Sequence, residues 1–379
     1  MAVFGNARLF LPGKGFVQGG FRVENGRFAE VFGGTLPPCG EETIDLHGAH
    51  VIPGLVDIHT HGAMGADASD GDGEGLKRMA AHLASCGVTS FVPTTMTLPY
   101  GTLATAFQTA ARLAENRPPA CSRVMGIHME GPFFSEKKKG AQNGAYLKNP
   151  DFEAFRKLYD GCGGLVRIVD VAPELPSAAA FAEKAGKLCT VSVAHTDADY
   201  EEAKAVFEAG ARHLTHLYNA MPPIHHRKPG VIGAASERDD VRAELICDGL
   251  HVHPSAVRMA FCLFPGRICL ISDSLRCCGM PDGEYELGGQ QVFLAGGVAR
   301  LADGTIAGAA SDLTRDLRNA VRFGIPMVTA IEAATINPAR EIGMANEIGS
   351  IEAEKLADFV VCDEELKLSA VYIGGERIR

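Results

Sequence analysis

The sequence lacks any long apolar run. Its 379 residues are 46% hydrophobic and 22% charged, and the hydrophobic residues come in short stretches, which disfavours disorder and predicts no membrane-spanning segment. Residues 1–10 also lack a basic region followed by an apolar core. We therefore expect a globular cytoplasmic protein without a secretory signal and without a membrane partner.

The sequence also lacks a basic tract and a regular cysteine pattern. A formal net charge of −10 argues against nucleic acid as a partner. The 11 cysteines include the adjacent pair Cys277 and Cys278, so reduced thiols fit better than a disulfide framework. An anionic substrate would need a local cationic cluster. The run from His225 to Lys228 offers one, although a solvated charged turn has the same composition.

Short apolar runs alternate with helical patterns from about residue 50 to about residue 340. Eight such runs predict an α/β fold with a TIM-like (β/α)8 barrel. The predicted strands are Leu55–His61, Thr89–Thr95, Val124–Glu130, Val166–Ala172, Cys189–His195, His213–Asn219, Arg242–Asp248 and Ile268–Ser274. The predicted helices are Gly75–Ser85, Leu103–Glu115, Phe152–Tyr159, Glu201–Ala209, Pro254–Phe264 and Asp312–Phe323.

The two ends of the chain differ from this middle part. Residues 1 to about 50 alternate apolar and polar residues around glycine turns, and Asn25-Gly26 indicates a β-hairpin. The C-terminal runs 357–362 and 370–379 are also strand-like. We expect a small β-sandwich domain built from residues 1–50 and 346–379, next to a barrel domain of residues 51–345.

Two histidines, His59 and His61, close the apolar run that begins at Val51. Residues two apart on a strand point to the same side, so both imidazoles would face one cavity, as metal ligands do. Taken alone, the pair could equally lie on the surface. Other predicted strands also end in metal-capable or acid/base residues, which favours the metal site: Glu130 on the third, His195 on the fifth, His216 on the sixth and Asp273 on the eighth. Active sites of such barrels lie at these strand ends.

Nitrogen and oxygen ligands without thiolate suit Zn²⁺, Fe²⁺, Co²⁺ or Mn²⁺, and one or two ions per subunit are expected. A bound metal lowers the pKa of water to roughly 7 and polarises a carbonyl oxygen, which favours hydrolysis of an amide. Asp273 would accept the proton of the water and pass it to the leaving group. A helix N-cap or a further metal ligand is the alternative role for Asp273.

Two further histidines fall within predicted strands. His128, two residues before Glu130, would lie on the same face but one layer deeper, either packed or supporting a metal ligand. His213 precedes His216 by three residues, so strand alternation would send its side chain away from the barrel centre.

The motifs together resemble the metal-dependent amidohydrolase superfamily and, within it, the N-acetylglucosamine-6-phosphate deacetylases. The broad signature is Pro53-Gly-Leu-Val-Asp-Ile-His-Thr-His-Gly62. More specific are Gly126-Ile-His-Met-Glu-Gly-Pro-Phe133, Lys138-Lys-Gly-Ala141, His195-Thr-Asp-Ala198, Thr215-His-Leu-Tyr-Asn-Ala-Met221, His225-His-Arg-Lys-Pro-Gly230, Asp248-Gly-Leu-His-Val-His-Pro254, Ser272-Asp-Ser274 and Gly279-Met-Pro-Asp-Gly283. They occur in order and span nearly the whole chain.

The resemblance implies hydrolysis of N-acetylglucosamine 6-phosphate to glucosamine 6-phosphate and acetate, in amino sugar catabolism and cell-wall recycling. It implies that Glu130, His195 and His216 hold the principal metal, with Asp273 as catalytic acid and base. The implied substrate-binding residues are Ala141, Gln142, Asn219, Ala220, Arg227, His251, Ile306, Ala307 and Gly308. Arg227 would clamp the phosphate, because its planar fork of donors matches phosphate oxygens. In the family that loop reaches a neighbouring subunit's site, which implies a homodimer.

Two positions depart from part of that family. Some relatives lack the histidine pair and use one metal, whereas this chain keeps His59 and His61, so a second ion bridged by Glu130 is expected. Gln142 stands where many relatives have histidine, and a glutamine can donate a hydrogen bond but carries no charge near pH 7. Our hypothesis is that the second metal takes over the carbonyl polarisation that histidine supplies in single-metal relatives.

Three alternatives stay open to different degrees. A deacetylase for the galactosamine epimer fits the same motifs. A cyclic-amide hydrolase of the hydantoinase or dihydroorotase kind would carry a carboxylated lysine at the end of strand 4, and residues 166–174 contain none. A barrel that has lost its chemistry would show a damaged ligand set, whereas every expected ligand and Asp273 are present.

Overall fold

A computed structural model describes residues 2–34 and 43–379 of the chain. Its centre is a nearly closed barrel of eight parallel strands, which confirms the predicted fold. The backbone N–H of Asp273 donates to the carbonyl of His59 at 2.9 Å and so joins the end of the last strand to the first. In chain order the barrel strands are Leu55–Thr60, Val88–Thr95, Ile127–Met129, Val166–Val171, Thr190–Val193, His213–Leu214, Arg242–Ile246 and Ile268–Ile271, with Arg123–Val124 as a short extra strand on the second.

Helices connect these strands and follow the last one. They are Gly73–Ser85, Tyr100–Glu115, Phe152–Gly161, Ala178–Ala185, Tyr200–Glu208, Gly230–Ser236, Pro254–Leu263, Leu313–Arg322, Met327–Ala334 and Ile336–Glu341. All six predicted helices are present. Four others escaped prediction, namely the short, alanine- and glycine-rich Ala178–Ala185 and Gly230–Ser236, and Met327–Ala334 and Ile336–Glu341. In the described part of the chain, no helix is long and apolar enough to cross a membrane.

Several barrel strands end earlier than predicted. The fifth stops at Val193, the sixth at Leu214 and the eighth at Ile271. Beyond these points the backbone turns left-handed, with φ values of +43° at His195, +29° at His216 and +49° at Asp273. Non-glycine residues rarely adopt this conformation, although histidine, asparagine and aspartate tolerate it better than most. His195, His216 and Asp273 therefore lie on short turns that follow the strands, whereas His59 lies within the first strand.

The two ends of the chain form one mixed sheet. Its strands are Ala2–Leu11, Gly15–Glu24, Arg27–Gly33, Thr43–Asp45, His50–Pro53, Phe359–Cys362, Leu368–Ile373 and Glu376–Arg377. The predicted Asn25-Gly26 hairpin is confirmed, with φ of +50° and +75° at the two turn residues. The rings of Phe28 and Phe359 lie 6.1 Å apart, although three strands separate theirs in the sheet. Since strands lie about 4.8 Å apart, the sheet curls around its aromatic core like a small sandwich.

A three-stranded antiparallel sheet, which the sequence did not reveal, follows the last barrel strand. It consists of Gly283–Leu287, Gln290–Ala295 and Val298–Leu301. The side-chain amide of Gln290 donates to the carbonyl of Ala141, and the amide of Asn143 donates to the carbonyl of Gly288 at 3.4 Å. These bonds fasten the sheet to the loop at the carboxyl end of the barrel. A short hairpin of Gly62–Ala63 and Ala66–Asp67 lies at the same end.

Candidate active site

Six predicted residues come together at the carboxyl end of the barrel: His59, His61, Glu130, His195, His216 and Asp273. All are buried. Within this group, the Nε2 atoms of His59 and His61 lie 3.3 Å apart, and those of His195 and His216 lie 3.1 Å apart. The four imidazoles come from three different strands, the first, fifth and sixth of the barrel, and meet in one small volume.

Glu130 occupies the middle of the group. Its Oε1 lies 3.1 Å from Nε2 of His195 and 3.2 Å from Nε2 of His216. Its Oε2 faces the other side, 3.4 Å from Nε2 of His61. One carboxylate therefore separates two pairs of histidines, which is the arrangement expected of a group that bridges two ions.

The hydrogen-bond partners of Nδ1 indicate which ring nitrogen carries the lone pair in three of these histidines. Nδ1 of His59 lies 2.8 Å from Glu244 Oε2, Nδ1 of His61 lies 3.1 Å from the Thr94 carbonyl, and Nδ1 of His195 lies 2.9 Å from the Lys138 carbonyl. These oxygens accept a proton from Nδ1, which leaves the Nε2 lone pair of a neutral ring directed into the group. Converging lone pairs at 3.1–3.3 Å repel unless a cation lies between them, so the donor set fits a divalent metal.

Opposite charges compensate each other in this group. Without a cation in the group, His61 and His216 gain a proton more readily instead: burial alone would lower their pKa, but Asp273 and Glu130 raise the pKa of His61 to about 9, and Glu130 raises that of His216 to about 9. Burial would raise the pKa of Glu130, yet its bonds from His195 and His216 hold that pKa well below its usual range. The two carboxylates therefore stay ionised at neutral pH.

Asp273 lies at the edge of the histidine group. Its Oδ1 is 3.3 Å from Nε2 of His61 and 3.5 Å from Nε2 of His59. Burial would raise the pKa of Asp273, but the charge of His59 and the hydrogen bond from His61 lower it below its usual value. An ionised carboxylate at the wall of a cavity can accept a proton from water.

All of the group except His59 forms the floor of a cavity of about 330 Å³. The lining includes seven residues predicted to bind substrate: Ala141, Gln142, Asn219, Ala220, His251, Ile306 and Gly308. It also includes Met96, Leu275, Leu287 and Thr305, which the sequence analysis missed. Leu287 belongs to the three-stranded sheet, and no local motif marked that insertion as part of the site. Ala307, although predicted with its neighbours, packs into an apolar cluster beside the cavity.

His251 and Arg227 are placed differently. Nδ1 of His251 lies 2.7 Å from Asp248 Oδ2, and the Asp248 carboxylate also accepts the backbone N–H of Leu250 and His251, so the imidazole is fixed at the cavity wall. Arg227 is exposed, borders a different surface pocket, and contacts His226 through Nη1. Within one subunit, Arg227 does not reach the cavity.

Gln142 contacts a candidate ligand directly. Its Nε2 donates to Glu130 Oε2 at 2.5 Å, and its Oε1 accepts the backbone N–H of Thr97 at 2.7 Å. The Thr97 bond fixes the orientation of the amide, because the oxygen must face the backbone donor and the nitrogen must face Glu130. Gln142 therefore holds the half of Glu130 that faces His61.

The prediction for His213 is wrong. Its side chain lies inside the barrel, with Nε2 3.1 Å from Glu244 Oε1 and Nδ1 3.5 Å from Glu341 Oε2. The strand ends at Leu214 and the chain turns left-handed at His216, so counting alternate faces across that turn gave the wrong side. Glu244 was missed altogether, although a glutamate within an apolar strand is a signal that could have found it.

His128 is buried one layer below the ligands, as predicted. Its Nε2 lies 3.0 Å from Asp170 Oδ1, and its Nδ1 lies 3.2 Å from the carbonyl of Ile58. The ring centroid lies 4.6 Å from that of His59. Because oxygen acceptors face both of its nitrogens, His128 supports the group from beneath by packing rather than by presenting a free lone pair.

Comparison with known proteins agrees with this geometry. Residues 50–378 match the model of the Amidohydrolase family. The chain is 39% identical over 324 residues to the N-acetylglucosamine-6-phosphate deacetylase of Bacillus subtilis (strain 168), covering 84% of this chain and 82% of the relative. It is 35% identical over 328 residues to the N-acetylgalactosamine-6-phosphate deacetylase of Escherichia coli O157:H7, covering 86% of this chain and 87% of the relative.

A solved structure is similar over the whole length. It is a mutant of the N-acetyl-D-glucosamine-6-phosphate deacetylase of Mycobacterium smegmatis in complex with N-acetyl-D-glucosamine 6-phosphate. The TM-score is 0.93 at 32% sequence identity, and the match covers 100% of this chain and 99% of that chain. With the family model, the relatives and the buried histidine and glutamate group in agreement, the chain belongs to the amidohydrolase family.

Proposed function

We propose that the chain hydrolyses the acetamide bond of N-acetylglucosamine 6-phosphate and releases glucosamine 6-phosphate and acetate. The observation that carries the proposal is that three histidines, Glu130 and Asp273 form the floor of a cavity whose walls contain seven of the predicted substrate-binding residues. The 39% identity to a deacetylase of this substrate supports the same substrate class.

In this proposal Glu130, His195 and His216 would hold the principal divalent metal, and His59 and His61, together with Glu130, would hold a second one. Zn²⁺, Fe²⁺, Co²⁺ and Mn²⁺ all suit nitrogen and carboxylate ligands. When bound, such an ion makes water more acidic and polarises the amide carbonyl. Gln142, which is neutral and committed to Glu130 and Thr97, is poorly placed to polarise the carbonyl itself, which agrees with the hypothesis that a second ion does so.

Asp273 supplies the proton transfer. Its carboxylate is ionised, lines the cavity and lies beside the histidine group, so it can take the proton of the attacking water. Expulsion of the amine requires a proton on the nitrogen, and the protonated Asp273 returns it there. The backbone of Asp273 is anchored on both sides, since its N–H donates to His59 and its carbonyl accepts from Ala309 at 2.8 Å. The base therefore stays aligned through both transfers.

Among the described residues, the cavity wall of the subunit contains no lysine or arginine to pair with the phosphate. Arg227 is exposed at the surface, away from that cavity. We propose that the chain forms a homodimer in which Arg227 of each subunit clamps the phosphate in the neighbouring site. An arginine fork matches phosphate oxygens with two parallel hydrogen bonds.

Subunit complementation tests the dimer. Both Arg227→Ala and Asp273→Asn homodimers should be impaired, whereas co-expression of the two chains gives mixed dimers in which one site has both residues intact. About a quarter of the wild-type sites should then work, because half of the dimers are mixed and each has one good site. Activity no higher than that of the separate variants would contradict the exchange of Arg227 between subunits.

The galactosamine epimer is the second candidate substrate. The similarity to an N-acetylgalactosamine-6-phosphate deacetylase, at 35% identity over 86% of this chain, favours it. A cyclic-amide hydrolase is less well supported, because the polar residue after strand 4, Glu174, accepts hydrogen bonds at 2.6 Å from the hydroxyl of Thr196 and from the N–H of Asp197. Both oxygens of Glu174 are therefore engaged by the Thr196–Asp197 turn, so Glu174 is not placed to bridge two metal ions.

Acetate release by the purified protein tests the proposal. The substrates are N-acetylglucosamine 6-phosphate, its unphosphorylated form and N-acetylgalactosamine 6-phosphate, each before and after chelation, with Asp273→Asn as the matched control. Release that requires metal, phosphate and Asp273 is expected, with the glucosamine compound preferred in kcat/KM. A preference for the galactosamine compound would favour the second candidate. No release from either phosphate by the metal-loaded protein would overturn the proposed function.

A further inference from the structure

Glu244 is a fully buried carboxylate in the strand Arg242–Ile246, and the proposed reaction gives it no role. Its Oε2 lies 2.8 Å from Nδ1 of His59 and accepts the backbone N–H of His216 at 3.1 Å. Its Oε1 lies 3.1 Å from Nε2 of His213. One carboxylate therefore contacts a candidate ligand from each of the two histidine pairs.

The bond to His59 determines where the proton of that imidazole resides. Because Glu244 accepts from Nδ1, a neutral His59 carries its lone pair on Nε2, the atom that faces the rest of the group. His61 and His195 receive the same support from backbone carbonyls. A carboxylate is a stronger acceptor than a carbonyl, so Glu244 fixes the orientation of the His59 ring more firmly.

His216 is the exception among the four histidines. Its Nδ1 is buried and has no hydrogen-bond partner among the described residues, so its ring has no acceptor to orient it. Its backbone is left-handed at φ +29°. The N–H of His216 donates to the Glu244 carboxylate, and the N–H of Leu217 donates to the Glu244 carbonyl at 2.9 Å. Glu244 thus fixes the backbone of His216, whose ring is not oriented by a hydrogen bond at Nδ1.

The rest of the contacts tie this carboxylate to the closed end of the barrel. His213 lies between Glu244 and Glu341, and Glu341 Oε2 lies 3.3 Å from Nη1 of Arg242. Glu341 ends the helix Ile336–Glu341, whose Ala339 packs with inward-facing residues of the barrel such as Ile246. Glu244 is therefore held in place from below while it contacts ligands above.

We propose that Glu244 is a positioning residue for the metal centre, an inference that rests on the proposed function. It sets the tautomer of His59 and the backbone conformation of His216, and so keeps the two histidine pairs at the separation that Glu130 spans.

The test compares Glu244→Gln with Asp170→Asn. Asp170 is an equally buried carboxylate that pairs with His128, which the proposed function does not place among the metal ligands, so the control also removes a buried carboxylate. Zn²⁺ affinity is measured on metal-free protein by competition with a chromophoric chelator. Glu244→Gln should bind roughly 10–100-fold more weakly, whereas Asp170→Asn should stay near the wild type even if its melting temperature falls. Equal affinity in wild type and Glu244→Gln would overturn the inference.

A second readout does not depend on metal or turnover. In metal-free protein with ¹⁵N-labelled histidine, the ring signals of His59, assigned by their loss in His59→Asn, should show the proton on Nδ1. A neutral His59 with its proton on Nε2 would overturn the inference even if Glu244→Gln failed to fold. A wild type that binds none of Zn²⁺, Fe²⁺, Co²⁺ and Mn²⁺ would overturn the proposed function together with the inference. A wild type that binds the metal no more tightly than Glu244→Gln does would overturn the inference alone.

Discussion

The barrel interior contains two layers of histidines whose ring nitrogens have different kinds of neighbouring atoms. In the lower layer, oxygen atoms face both ring nitrogens of His128 and of His213. In the upper layer, Nε2 atoms of four histidines lie close to one another and share two carboxylates. The ring nitrogens of the lower layer face oxygen atoms, although Nδ1 of His213, 3.5 Å from Glu341 Oε2, has no hydrogen-bond partner among the described residues. In the upper layer nitrogen faces nitrogen, so that layer needs a cation. The histidines of both layers are buried, so burial does not distinguish a structural histidine from a candidate ligand. The distinction is that Nε2 faces a carboxylate oxygen in the lower layer, whereas in the upper layer it also faces the Nε2 of another histidine.

The largest effect is expected when a histidine of the upper layer is replaced, and the same replacement in the lower layer should have a different result. His195→Asn should lose metal and reduce kcat by about 10²–10⁴-fold, since a bound ion contributes several kcal/mol to the transition state. His128→Asn should keep the metal but lose about 3–5 kcal/mol of unfolding free energy, because it leaves Asp170 buried without its partner. Metal analysis after dialysis and denaturant unfolding check both. Metal loss in His128→Asn would show that the layers are not distinct.

Asp273→Asn is expected to separate chemistry from metal binding within the upper layer. The amide keeps the size of the side chain but cannot accept the proton of water, so kcat should fall by about 10²–10⁴-fold. Metal content should stay at the wild-type value, because the other five residues keep their positions. Loss of metal together with activity would instead assign Asp273 to the ligand set.

The double variant His59→Asn with His61→Asn asks whether the upper layer holds one ion or two. If Glu130 bridges two ions, metal content should fall by one equivalent per subunit and turnover should fall with it. The measurement is metal content per chain by mass spectrometry beside acetate release. Unchanged content and turnover would contradict both the second ion and the hypothesis that it replaces a histidine at position 142.

The smallest effect concerns pH and the lower layer. Burial would lower the pKa of His213, but the charge of Glu341 and the bond to Glu244 raise it to about 10, above the ordinary 6.5. A raised pKa contributes stability that is fully present below pH 6.5 and is lost as the pH rises toward 10, at up to about 1.4 kcal/mol per pH unit. The stability difference between wild type and His213→Gln should therefore shrink between pH 7 and 10 in urea unfolding curves. A constant difference would show that His213 is neutral in the folded protein.

Strand ends were predictable because the barrel fold concentrates chemistry there. The eight strands followed from alternating apolar runs, and Glu130, His195, His216 and Asp273 followed from their positions after those runs. The three-stranded sheet was not predictable as part of the site, since Leu287 and Thr305 reach the cavity only through tertiary packing. The error at His213 has a local cause, because counting alternate faces assumes an extended backbone and fails where φ turns positive at His216.

The left-handed backbone at His195, His216 and Asp273 also limits how these positions can evolve. A β-branched or bulky replacement would be strained there, whereas asparagine, aspartate, histidine and glycine are accommodated more easily. Three of those four residue types carry oxygen or nitrogen ligands. Most replacements tolerated by the backbone at these positions therefore still bind metals. A lineage can then change its metal or its substrate while the backbone of the site stays the same.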